Sequence, residues 1–337
     1  VSPLIRRFPG PVVFRAAAGP RLGFGHLIRC RSLARAMGVD LLVSLRGTQR
    51  ARLQAAALGA RLVDLRTSEA ITAVGPSLVV IDDPSRAAAL RWLARARRAG
   101  VPVASVHDRG LACLASDLVI DGGVRPDAAP SRSVRLAGPA FTILDPVINA
   151  TCRRRPRPVG GRILLSLGGG RHVVTRAARL SAAIAGRLPH SDLRVARGFS
   201  AYGAVAPLPH GRWIDAPDGL VRELAGAQVA IVAGGMTLYE ACALGVPVVA
   251  VGVTDAQRVT VRALARAGAV LDGGLLRTGR ASQVADAVAH LIEDPAAAAA
   301  QAHIARQIVD GRGAARVATH LRALAWGVAQ RRTGRAA

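Results

Sequence analysis

The chain has 337 residues, 51% of them hydrophobic and 20% charged. It is too apolar for a disordered chain and long enough to bury a sizeable core, and its apolar stretches break well before the roughly 18 residues a membrane helix needs. The formal net charge is +25, all 46 basic residues are Arg, and aromatics make up only 3%. So basic a surface attracts polyanions such as nucleotide diphosphates and anionic lipid. It offers little on which to stack bases, so no specific nucleic-acid partner is expected, while contact with a membrane surface stays open.

A single core stops growing at roughly 250–300 residues, so two domains are expected. The opening VSPLIRRFPGPVVF has no continuous apolar run. No secretory leader is therefore expected, and the chain reads as cytoplasmic. Cys30, Cys113, Cys152 and Cys242 are scattered, without a C-x-x-C pair. They read as small buried thiols, not as a disulfide framework or a metal site.

Strand-length apolar runs at 12–16, 41–45, 61–65, 78–82, 102–106 and 118–121 alternate with helical patterns at 26–37, 48–58, 69–74 and 85–99. That alternation predicts a parallel sheet covered on both faces. Residues 151–162 then read TCRRRPRPVGGR, a linker by composition. The alternation restarts with strands at 163–167, 193–196, 212–215, 229–233, 247–251 and 269–271. Helices fall at 173–187, 219–226, 237–244 and 256–267, and two or three more close the chain from 282, one opened by Pro295. The expected architecture is α/β, with two doubly wound parallel-sheet domains facing a cleft. They span 1–150 and 162–330, joined by a linker at 151–161 and followed by a basic tail at 331–337.

Ligands of such sheets bind at the carboxyl ends of strands, near helix N-termini. The first strand leads into Gly23-Phe24-Gly25-His26. Glycines allow a sharp turn, and the free amides of a helix start favour an anion. Ile28 stands where a dinucleotide fingerprint has its third glycine, and Ser44-Leu45-Arg46 offers no acid to a ribose, so nicotinamide is not expected. His26 sits at a positive helix end that disfavours imidazolium, and a neutral ring there can take a proton from water or a hydroxyl. It can equally be a capping or packing histidine. Two further turns, Gly168-Gly169-Gly170 and Gly234-Gly235-Met236-Thr237, suit a nucleoside diphosphate, with Glu240 one turn on for ribose hydroxyls. Ordinary tight turns are the alternative. Asp82, Asp83, His107 and Asp108 end two strands. They can orient a water or sugar hydroxyl, or serve as N-caps and turn residues.

These residues carry a resemblance. Phe14-Arg15 followed by Leu22-Gly23-Phe24-Gly25-His26-Leu27-Ile28-Arg29-Cys30 is the first part of it. Leu165-Ser166-Leu167-Gly168-Gly169 is the second. Ala233-Gly234-Gly235-Met236-Thr237-Leu238-Tyr239-Glu240 follows, with Leu244-Gly245-Val246-Pro247 and Gln257 after it. Asp310-Gly311-Arg312-Gly313-Ala314-Ala315-Arg316 closes the set. In that order the motifs resemble the UDP-sugar hydrolases of pseudaminic acid synthesis and the related spore-coat polysaccharide proteins predicted to be glycosyltransferases. More distantly, the chain is similar to the lipid-linked N-acetylglucosaminyltransferase of peptidoglycan synthesis.

The resemblance implies a GT-B fold, a UDP-sugar substrate and no cofactor. It implies His26 as the base that separates sugar from UDP. Substrate contacts would come from Arg15, Gly23, Gly25, Arg29, Asp82, Gly168, Gly169, Gly234, Gly235, Met236, Thr237, Glu240 and Gln257. A hydrolase of a nucleotide-activated sugar in surface-polysaccharide or nonulosonic-acid biosynthesis is the leading expectation. A metal-independent glycosyltransferase and a non-catalytic nucleotide-sugar-binding protein are the alternatives. Three positions depart from the hydrolase pattern. Asp83 stands in place of a Tyr, Gly170-Arg171 in place of Ser-Asp, and Ala256 in place of the Asn before Gln257.

Overall fold

The structure, a computed structural model, describes residues 7–19, 22–107, 114–126, 133–154, 158–168, 173–198 and 205–333. These divide into two compact units. One comprises the described residues of Val1–Gly19, Phe24–Pro146 and Arg312–Ala337, the other those of Pro20–Gly23 and Val147–Gly311.

The first unit runs β1 (Val12–Ala18), α1 (Gly25–Met37), β2 (Leu42–Gly47), α2 (Gln49–Ala57), β3 (Arg61–Leu62), α3 (Ser68–Val74) and β4 (Leu78–Asp82). It continues through α4 (Arg86–Arg98), β5 (Val103–Val106), β6 (Leu118–Asp121), β7 (Val134–Ala137) and a 3-10 turn at Pro139–Phe141. The strands form one parallel sheet in the order β3-β2-β1-β4-β5-β6-β7. Its central strands β1 and β4 are almost wholly buried, as expected of a sheet covered on both faces. Thr48, Thr67 and Ser85 cap α2, α3 and α4 by accepting from the amide three residues on. Gly38 ends α1 in the left-handed region, at φ 68°.

The second unit runs α5 (Pro146–Arg154), β8 (Arg162–Ser166), α6 (Val173–Arg187), β9 (Asp192–Ala196), β10 (Arg212–Ile214), α7 (Val221–Gly226) and β11 (Val229–Ala233). Next come α8 (Met236–Leu244), β12 (Val248–Gly252), α9 (Asp255–Arg266), β13 (Leu271–Leu275), α10 (Ala281–Glu293) and α11 (Pro295–Ile308). Its parallel sheet has the order β10-β9-β8-β11-β12-β13. Helices α6 and α10 share one face, packing Ala177, Leu180, Ile184, Val284 and Val288 over Ile163, Leu165, Ile231 and Val249. From β11 onward the chain winds the other way along the sheet, and right-handed crossovers put α8 and α9 on the opposite face.

Several elements differ from the expected ones. The final helix, α12 (Gly313–Thr333), belongs to the first unit, whereas the sequence places it in the second. It buries Val317, Ala318, Leu321 and Ala325 and packs along α1. Arg322 donates to the carbonyl of Met37 and Arg316 to that of Ala140. The motif from Asp310 to Arg316 is therefore the turn by which the chain re-enters the first unit. Residues 151–154, expected in the linker, close α5, which anchors itself through the fully buried Ile148. Strand β7 was not expected, being short, at the sheet edge and half exposed.

Among the described residues no helix is long and apolar enough to cross a membrane. Burial pushes the Cys30 thiol well up and the Cys242 thiol up to about 12, which suits packing groups, while Cys113 lies outside the described residues.

Candidate active site

In the first sheet the winding direction reverses between β1 and β4, and the pairing of Ala16 with Asp82 brings the ends of these two strands side by side. A reversal of this kind opens a crevice at the strand ends, where α/β sheets hold their ligands. The chain leaves β1 through Gly23, at φ 75°, a backbone state that a side chain strains. It enters α1 at Gly25 with no side-chain cap. His26 therefore stands in the first turn of α1, directly beside the end of β4.

There His26 Nδ1 lies 2.7 Å from Asp82 Oδ1. Arg29, one turn further along α1, donates through Nε to Asp82 Oδ2 at 2.7 Å and through Nη2 to Oδ1 at 2.5 Å. Asp82 is 1% exposed and the side chain of Arg29 8%. Burial alone would raise the pKa of Asp82, but the charges and hydrogen bonds of Arg29 and His26 outweigh it and hold the carboxyl below its usual range. Nδ1 also lies 3.2 Å from Arg29 Nη2, but Asp82 Oδ1 is nearer, so we assign the imidazole proton to Nδ1 and the lone pair to Nε2. In that tautomer, held by a buried acid, Nε2 is chemically able to accept a proton.

The resemblance gives Asp82, Arg29 and Arg15 contacts to substrate. Both Asp82 oxygens are instead bonded to His26 and Arg29. Arg15 donates to Asp83 at 3.1 Å and to the Ser44 carbonyl at 3.3 Å, and lies 5.6 Å from the centre of the Trp92 ring. Asp83 also takes Nε and Nη2 of Arg46 and the amide of Ser85. Burial opposes its charge, and these donors win, keeping its pKa below the usual range. The Asp that replaces the hydrolases' Tyr is thus the hub of an ionic network beneath the site. Nothing local marked it: the side chains it joins lie 37 and 68 residues away in sequence.

His107 is buried with Nε2 at 2.7 Å from Ser105 Oγ and accepting from the Leu114 amide, which is a packing role. Asp108 lies outside the described residues.

The second sheet reverses between β8 and β11. Gly168, at φ 83°, follows β8, and Gly169 lies outside the described residues. After β11 the amide of Gly234 bonds to Val251 O and that of Gly235 to Ala233 O. The two glycines therefore shape the turn, and the amides that open α8 are those of Met236 and Thr237, with no side-chain cap. Gly234 has no room for a side chain: a Cβ would sit 2.9 Å from Gln257 O and 3.0 Å from Val261 Cγ2. Gln257 braces the neighbouring turn after β12, its Oε1 accepting from the Val253 amide, and its backbone packs against Gly234. Glu240 follows Met236 and Thr237 by four and three residues, on the same half-buried face of α8. Among the described residues no three His, Cys, Asp or Glu side chains cluster as a metal site would require.

No protein-family model and no curated protein matches the sequence. Solved structures do match over nearly the whole chain. The spinosyn forosaminyltransferase SpnP is 18% identical, with a TM-score of 0.65, covering 95% of this chain and 100% of its own. MurG of Acinetobacter baumannii is 16% identical at a TM-score of 0.59, covering 93% and 99%. The UDP-GlcNAc 2-epimerase of Neisseria meningitidis, bound to UDP-GlcNAc, is 14% identical at 0.58, covering 92% and 99%. The chain has the GT-B fold. Its two units each carry their distinctive groups at a sheet reversal, the histidine and its acid in one and the glycine turns in the other.

Proposed function

We propose that the protein is a glycosyltransferase that takes its sugar from a UDP-sugar. The observation that carries this reading is the His26–Asp82 pair at the start of α1. In it Nε2 of His26 takes the proton of an acceptor hydroxyl as that oxygen attacks the anomeric carbon. The bond from the anomeric carbon to the β-phosphate oxygen breaks, and UDP leaves with the electron pair. The Met236 and Thr237 amides and the positive end of α8 stabilise the diphosphate, and Glu240 takes the ribose hydroxyls. Gly168, Gly234 and Gly235 shape the turns after β8 and β11 and Gln257 the turn after β12, while Asp82 and Arg29 position His26.

Transfer is preferred to hydrolysis because SpnP, named a forosaminyltransferase, is among the similar structures. The test is phosphorus and proton NMR of the protein with UDP-activated amino sugars, with and without a hydroxyl acceptor. UDP release that depends on the acceptor supports transfer. Equal release of UDP and free sugar in plain buffer would make the protein a hydrolase. Saturable binding without turnover under any condition would leave a nucleotide-sugar-binding protein.

A further inference from the structure

On the face of the second sheet opposite α8, the first turns of α6 and α10 and the turn after β13 enclose a recess open to solvent. Its floor is the apolar core, through Leu180, Leu276 and Val284. Its wall carries Arg176 and Arg179 from α6 and Arg280 from the start of α10, and no acid lines it. Neither helix has an acid in its first turn.

Several arginines of this unit pair with a carboxylate. Arg187 meets Glu293, Arg194 meets Glu223, Arg258 meets Asp272 and Arg277 meets Asp255. Among the described residues Arg176, Arg179 and Arg280 have no such partner. Nη1 of Arg176 is buried with no hydrogen-bond partner among the described residues, and a buried donor left unmade is costly. The frame is firm. The amides of Leu276, Thr278 and Gly279 bond to Gly252, Leu275 and Leu275 carbonyls, which fixes the turn that delivers Arg280.

We infer that this recess is an anion site that takes a phosphate or diphosphate group of a small ligand, separate from the α8 turn assigned to UDP. Guanidinium forks match phosphate oxygens in pairs, and the start of α10, where Arg280 and Ala281 line the recess, adds its positive end. The site goes beyond the proposed transfer, since α6, α10 and the turn after β13 line it and no residue of α8 does.

The test is calorimetric binding of pyrophosphate, and separately of UDP, to the full chain. Pyrophosphate affinity is expected to fall at least about tenfold in the Arg176→Gln/Arg280→Gln variant. It should hold in an Arg52→Gln/Arg91→Gln variant, which removes the same charge from exposed positions elsewhere. UDP affinity should hold in both. Pyrophosphate binding should survive saturation with UDP. An unchanged affinity in the recess variant, or an equal fall in the control variant, would overturn the site. Full displacement of pyrophosphate by UDP, with UDP affinity also lost in the recess variant, would overturn its separateness and make the recess part of the nucleotide site.

Discussion

At the reversal of the first sheet the chain ends β4 in a buried carboxylate and opens the neighbouring helix with a histidine, whereas at the reversal of the second it runs β8 and β11 into glycines. The same topology is furnished with side chains in one unit and with bare backbone in the other. The first arrangement holds a proton acceptor at a fixed angle, at the cost of burying an ion pair. The second offers amides and a helix dipole to an anion without burying any charge. Changes in the first unit should therefore act on turnover, and changes at the glycine turns on nucleotide affinity.

The sharpest way to break that contrast is to remove the base. His26→Ala should lower kcat by roughly 10²–10⁴-fold, measured by UDP release, while UDP affinity holds. Next in size is the acid behind it. Asp82→Ala leaves the Arg29 guanidinium buried without its partner and should cost about 3–5 kcal/mol in urea unfolding. The same ion pairs set an acid limit. Asp82 and Asp83 have folded pKa values below those of the unfolded chain, so the stability they contribute is fully present above about pH 4. It is lost as pH falls through their folded values. Unfolding midpoints measured from pH 7 to pH 3 should hold steady and then drop, and a flat profile would mean the carboxylates are not held as described.

The glycines sharpen the comparison with smaller effects. Gly234→Ala presses a methyl against Gln257 and Val261 and should cost about 1–3 kcal/mol, with a weaker UDP affinity and an unchanged kcat at saturation. Gly23→Ala meets nothing within 4 Å, so only its backbone strain counts, about 1–2 kcal/mol by thermal unfolding.

Much of the scaffold was legible because buried parallel strands are continuous apolar runs. The boundaries of β4, β6, β11 and α6 coincide with the patterns in the sequence. Strand β7 escaped because an exposed edge strand of VRLA has no such run. The reach of α12 back to the first unit escaped because an amphipathic pattern shows that a face is buried, not against what. At the site, His26 and Asp82 each stood out, but the bond between them spans 56 residues and follows only from the parallel pairing of β1 with β4. The Asp83 hub, joining Arg15 and Arg46, was hidden for the same reason. Gly234 and Gly235 were legible as a turn. That their own amides are spent inside it, leaving those of Met236 and Thr237, required the structure.

The most direct measurement pairs UDP calorimetry with UDP-sugar turnover for His26→Ala and Glu240→Gln. A division of labour predicts that His26→Ala loses turnover and keeps UDP affinity, while Glu240→Gln loses UDP affinity and keeps the pH profile of the base. Equal loss of UDP affinity in both variants, with turnover surviving in His26→Ala, would contradict it.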